Sequence, residues 1–168
     1  MPIKWLGAAL TILSGILWGL QKSGTLLKRE RSLKNIITAL GMLESEITFS
    51  SHKLKTAFRI ISKVCPCEGL FSEAADMLGN ASAFCAWQTA LEKTEKKLGI
   101  SEKDVQIIKL LAPELGKSDK EQQIRNLRHV SSLLGTAANE AHEEYLRSAK
   151  MYRSLGLFAG LFIAILLI

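Results

Sequence analysis

The stretch IRNLRHVSSLLGTAANEAHEEYLRSAKMY, residues Ile124 to Tyr152, decides how this chain is read. Ile124, Leu127, Ser131, Leu134, Ala138, Ala141, Tyr145, Ser148 and Tyr152 follow one another at alternating spacings of three and four. That is the seam of a helix packed along its length on a second helix, and its many small residues imply close approach. Apart from Gly135 the seam holds no Gly or Pro, so nothing stops the helix before the last residues of the sequence. At ~1.5 Å per residue, Asp119 to Ile168 would make one helix of ~75 Å.

The seam leads into SLGLFAGLFIAILLI, Ser154 to Ile168, which carries no charge. The other end matches it: Trp5 to Leu20, WLGAALTILSGILWGL, is also free of charge. The overall apolar content of 48% is ordinary and hides this asymmetry. At 168 residues one domain is the default. The pattern expected is a charged middle, residues 23–153, between membrane segments at 1–22 and 154–168. A bilayer core of ~30 Å takes ~20 helical residues, and the two runs supply ~24 Å and ~21 Å. Lys4 and Lys22 can snorkel to lengthen the first, and local thinning or a partner helix accommodates the second. A buried core helix is the competing reading of the C-terminal run. A signal peptide is the competing reading of the N-terminal one, but Leu17 and Trp18 stand where small residues should precede cleavage at Gly19.

Flanking charge orients the segments. Lys22, Lys28, Arg29, Arg31 and Lys34 follow the first, and Arg147, Lys150 and Arg153 precede the second. The positive-inside rule then places the middle domain in the cytoplasm and both termini outside, a hairpin anchor. Gly7, Thr11, Gly15, Gly19 and Ser23 lie four apart, as do Gly156, Gly160 and Ala164. Small residues at that spacing let helix backbones approach closely in lipid. The two segments are expected to pack on each other, with partner membrane proteins as the alternative. The net charge of +6 is local too: residues 22–63 hold nine Lys/Arg and three Asp/Glu. Lys28, Arg29, Arg31 and Lys34 therefore read as a juxtamembrane patch for anionic lipid. Nucleic acid is the rival reading, and the membrane tether and the lack of aromatic stacking residues among these charges argue against it, so no nucleic-acid partner is expected.

The middle reads as all-α, a bundle of about six helices. Leu33, Ile36, Ile37, Leu40, Leu43 and Ile47 form one apolar face, and the first helix would run from Trp5 to about Phe49 with a bend near Gly24. Ser50 and Ser51 mark a turn. Leu54, Ala57, Phe58, Ile61 and Val64 face inward on a second helix that Pro66 and Gly69 end. A short third covers Leu70 to Leu78 and stops at Gly79-Asn80; a fourth carries Phe84, Trp87, Leu91 and Leu98 and stops at Gly99. Ser101 and Asp104 predict a capping box for the fifth, with Ile100 stapled on Val105. Val105, Ile108, Leu111 and Leu115 face inward there, Pro113 kinks the helix and Gly116 ends it. Ser118 with Glu121 repeats the box for the sixth.

Catalytic chemistry is hard to place. His142-Glu143-Glu144-Tyr145 begins a zinc-protease motif, but Leu146 stands where the second His is needed. Cys65-Pro66-Cys67 lacks a fourth ligand and is not CxxC; with Cys85 the three read as turn and core filler, reduced in a cytoplasmic setting. His52, His129 and His142 are scattered, and Glu140, Glu143 and Glu144 read as a solvated face or a docking patch. There is no Walker loop and no GxSxG. No cofactor, metal or catalytic residue is expected, and the chain is read as a non-enzyme.

Leu40 with Leu43-Glu44-Ser45-Glu46-Ile47, then Leu54 and Ala57, resemble the LExEI region of the stage III sporulation protein AB family. So do Trp87 with Leu91, the turn Leu115-Gly116-Lys117-Ser118-Asp119 followed by Gln123, and the ending Ser154-Leu155-Gly156 with its Leu-rich tail. The resemblance spans nearly the whole chain and is weakest from Val64 to Ala83. It implies a role in endospore formation, in the apparatus that links mother cell and engulfed forespore. The location implied is the mother-cell or outer forespore membrane. It also implies a domain similar to the cytoplasmic part of the F-family platform of type II secretion, set beneath a secretion-type ATPase like stage III sporulation protein AA. Other membrane proteins of the channel and the lipid bilayer are the further partners implied. Glu44 and Glu46 are candidates for contacts within the bundle or with the partner. A membrane-surface scaffold without an ATPase is the alternative, followed by a membrane-bound enzyme.

Overall fold

In a computed structural model, side chains are described for residues 24–50, 53–116, 119–148 and 151, and backbone additionally for 2–23, 149–150 and 152–167. Six helices follow in order: α1 Pro2–Phe49, α2 Leu54–Val64, α3 Leu70–Met77, α4 Ala83–Leu98, α5 Glu102–Lys109 and α6 Lys120–Leu167. A 3-10 turn, Cys67–Gly69, precedes α3, and among the described residues there is no strand beyond one isolated bridge, Leu78 to Ala81. The chain divides into a unit of Lys28–Asn139 and a unit made of Met1–Leu27 with Glu140–Ile168. α1 is helical through Gly24, where the sequence allows a bend.

The Lys28–Asn139 unit is built as its apolar spacing requires. Leu33, Ile36, Ala39, Leu40 and Leu43 of α1 are buried, and Ile37 and Ile47 lie half in. Phe58 of α2, Phe71 of α3 and Trp87 of α4 meet at the centre with ring centroids 5.4, 5.7 and 5.5 Å apart. Two of the three contacts are edge-on, the geometry aromatic quadrupoles favour. The indole Nε1 of Trp87 donates to the Ile108 carbonyl at 3.1 Å and ties α4 to the end of α5. On α6 the buried stripe is Leu127, Val130, Leu134, Ala137 and Ala138, so Val130 and Ala137 widen the expected seam. Within this unit α1 and α6 are antiparallel: Lys120 Nζ reaches the Thr48 carbonyl, and Arg128 reaches Glu44.

Several helix ends fall as expected. Gly99 adopts φ +66 after α4, and Ser101 with Asp104 closes the full capping box of α5. Three local expectations are corrected. Val64 is 67% exposed, because Cys65, one residue on, takes the inward position at the end of α2. α5 stops at Lys109 rather than running on to Gly116. A proline ring clashes with the carbonyl four residues back, which for Pro113 is that of Lys109. The segment beyond tightens to three-residue bonds, Leu111 N to Ile108 O and Ala112 N to Lys109 O, and still buries Leu111, Ala112 and Leu115. The cap on α6 is Asp119, whose carboxylate accepts from Gln122 N at 2.7 Å; Ser118 lies outside the described residues. Among the described residues no helix is long and apolar enough to cross a membrane. The runs Trp5–Leu20 and Leu155–Ile168, and with them Gly7, Gly15, Gly19, Gly156 and Gly160, lie outside the described side chains.

Candidate docking surface

Three helices converge where α1 enters the Lys28–Asn139 unit. Ser32 donates its hydroxyl to the Leu98 carbonyl at 2.7 Å, which serves one of the carbonyls that the end of α4 leaves without a helical partner. A Cβ placed on Gly99 would stand 3.4 Å from Lys28 Cδ, so the Lys28 stem lies over the α4–α5 turn. Arg29 grips Asp104 with both ends of its fork, Nε to Oδ2 at 2.7 Å and Nη2 to Oδ1 at 3.0 Å. The same Oδ2 accepts from Ser101 N at 2.8 Å. Burial alone would raise the Asp104 carboxyl, but the bonds from Arg29 and Ser101 outweigh it and hold the group below the usual carboxylate range.

These contacts change the reading of the basic stretch. Arg29 is committed to a contact within the bundle: half-buried itself, it pairs with the buried Asp104, at side-chain exposures of 15% and 1%. Lys28 and Arg31 are exposed, and Lys34 is exposed while bonding Glu30 at 2.6 Å. The fold adds cations that one-dimensional reading did not collect. Lys96 and Lys97 in the last turn of α4 and Lys103 in the first turns of α5 are exposed and flank the Gly99 and Asp104 contacts. The signal was present as basic residues at a helix end, but only the long-range contacts of Lys28, Arg29 and Ser32 join them to Lys28 and Arg31. Glu95 and Glu102 interrupt the positive rim.

A cleft of about 440 Å³ lies beside it between α4 and α5, with Ile100 and Val105 flanked by Lys96, Lys109 and Glu102. Those groups can pair with charged side chains or headgroups; they include no nucleophile beside a base. His129 and His142 are exposed, as are Glu140, Glu143 and Glu144; His52 lies outside the described residues. Among the described residues no three His, Cys, Asp or Glu side chains are grouped to hold a metal.

At the far end of α1 within the same unit, Glu44 accepts from Arg128 Nε at 2.8 Å and Nη2 at 2.7 Å. Glu44 thereby joins α1 to α6, a contact within the bundle. Glu46 is half-buried on the same helix. Phe49, the last residue of α1, is 87% exposed.

Comparison with known proteins gives a consistent result. The family described as Stage III sporulation protein AB matches residues 4–168. A curated relative, Stage III sporulation protein AB of Bacillus subtilis (strain 168), is 29% identical over 169 residues, which is 98% of this chain and 99% of the relative. A solved structure titled Stage III sporulation protein AB superposes with a TM-score of 0.66 at 28% identity, covering 71% of this chain and 97% of that one.

Proposed function

The chain belongs to the stage III sporulation protein AB family, and from that premise we propose that it is a non-enzymatic membrane platform of the sporulation channel apparatus. The observation that carries this is the extent of the match, which takes in both apolar ends as well as the helical unit between them. In this reading the runs Trp5–Leu20 and Leu155–Ile168 form a hairpin in the mother-cell or outer forespore membrane, with Gly7, Gly15, Gly19, Gly156 and Gly160 at their contact. The bundle hangs in the cytoplasm. Lys28, Arg31, Lys34, Lys96, Lys97 and Lys103 form a rim for anionic headgroups, each worth ~1 kcal/mol when close to the surface. A secretion-type ATPase docks on the bundle, with Glu46 and Phe49 at the end away from that rim. Other channel proteins meet the membrane segments.

The test has two arms. The gene is deleted and engulfed forespores are followed, and the full-length protein in detergent is used to capture the ATPase. Arrested spores and recovery of the ATPase are expected; normal spores and no recovery contradict the reading. Arrest without ATPase recovery supports instead a surface scaffold that works without an ATPase.

A further inference from the structure

The dithiol at the α2–α3 junction has a geometry that core filling does not require. Cys65 and Cys67 are buried, at 8% and 3% exposure, and their sulfurs are 3.5 Å apart, in van der Waals contact. Between them stands Pro66 in helical geometry, φ −63, ψ −27. Cys67 and Glu68 then take left-handed backbone angles, φ 42 and φ 51, ahead of Gly69 at φ 92. For residues with a Cβ such angles are disfavoured, because the Cβ crowds the following carbonyl oxygen. A backbone outlier of this kind is a reason to ask what it positions. Here it folds the Cys67 side chain back onto Cys65. The Cys65 sulfur also lies 3.2 Å from the Asn35 carbonyl of α1, to which its S–H donates.

We propose that Cys65 and Cys67 form a reversible redox site, closed to an intrachain disulfide by exchange with a low-molecular-weight disulfide. The thiolate of Cys65, the more exposed of the two, attacks one sulfur of the small disulfide. A mixed disulfide forms and one small thiol leaves. Cys67 then loses its proton and attacks the Cys65 sulfur, expelling the second small thiol. Two electrons and two protons pass from the protein pair to the small disulfide, which leaves as two thiols. Burial pushes the Cys67 thiol up, with further contributions from its bond to Cys65 and from negative charge at Cys65 and Glu68. The mixed disulfide removes the Cys65 charge before the second step. The product carries no charge, so the same burial that disfavours a thiolate does not oppose it. Closure removes the S–H donor that Asn35 receives, so the α2–α3 turn loses that link to α1 in the oxidised form. This site stands independently of the platform reading.

The experiment uses the full-length protein in detergent micelles, equilibrated with mixtures of reduced and oxidised glutathione. Samples are quenched with acid, denatured and alkylated, and the peptides are weighed. Expected is joint protection of Cys65 and Cys67 with a peptide lighter by two hydrogens, reversed by excess reduced glutathione. Exposed Cys85 takes glutathione itself and reports that the oxidant is active. With Cys67→Ser, Cys65 stops at the glutathione adduct. If both thiols stay alkylatable at every ratio while Cys85 reacts, or if they carry glutathione in the unsubstituted protein without the loss of two hydrogens, the proposal is overturned.

Discussion

Asp104 serves two helices at once. It closes the cap of α5 and holds Arg29 of α1, seventy-five residues away. Removing one partner of a buried pair leaves the other charge stranded, at a cost of about 3–5 kcal/mol. Arg29→Met should therefore lower the thermal midpoint of the full-length protein in micelles clearly, whereas Lys28→Met and Arg31→Met should leave it nearly unchanged. The pH dependence has a definite sign. The folded carboxyl lies below its unfolded value of about 3.9. Its contribution is thus complete above that value and is lost as pH falls through the lower folded one. An acid titration of the thermal midpoint checks this, and Arg29→Met should flatten the acid-side loss. Glu44 and Arg128 are a different case. Arg128 is 70% exposed, and exposed pairs contribute about 0.2–1 kcal/mol. Glu44→Arg should cost little stability. If Glu44 serves the bundle, adding Arg128→Glu restores what is lost; ATPase capture that stays lost in the double variant would assign Glu44 to the partner instead.

At the scale of elements, starts and stops were legible where they depend on neighbouring residues. Gly99, the Ser101–Asp104 box, Pro66 and Gly79-Asn80 act over three or four positions, and all punctuate the helices as their chemistry dictates. Local spacing has Pro113 only kink α5 and Gly116 end it, but the helix ends at Lys109, four residues before the proline, because the ring clashes with that carbonyl. Val64 fitted a helical stripe yet is displaced by Cys65, whose inward position depends on the left-handed turn that follows. Gly116 offers a clean test. Its φ is +77, and an added Cβ would stand 3.3 Å from Ala83 Cβ. Gly116→Ala should destabilise the bundle by about 1–2 kcal/mol from the backbone alone. Hydrogen exchange should quicken at the start of α4 more than in α2. Trp87→Phe keeps most of the ring packing and removes one hydrogen bond from the Ile108 carbonyl, which still accepts from Leu111 N, so the cost should be about 0.5–1.5 kcal/mol. Its loss should show first as faster exchange in α5.

For the whole molecule, the all-α class, the six helices and the sporulation family were all readable from apolar spacing and from residues such as Glu44, Trp87 and Gly156. Pairings distant in sequence were not. No local pattern joins Arg29 to Asp104 or Arg128 to Glu44, and so the positive rim was read as a single run when it draws on three helices. The proposed arrangement is a hairpin-anchored platform with its bundle on the cytoplasmic side. Cysteine accessibility tests it directly, because the native protein already contains a marker in the bundle. Cys85 is exposed there, while Cys65 and Cys67 are buried. Ile168→Cys and Pro2→Cys variants are expressed in non-sporulating cells, which have no forespore membrane, and the intact cells are treated with a membrane-impermeant maleimide. With the hairpin in place, the terminal cysteines label in intact cells and Cys85 labels only after permeabilisation. A terminal cysteine that stays unlabelled until permeabilisation, or a Cys85 that labels in intact cells, would contradict it.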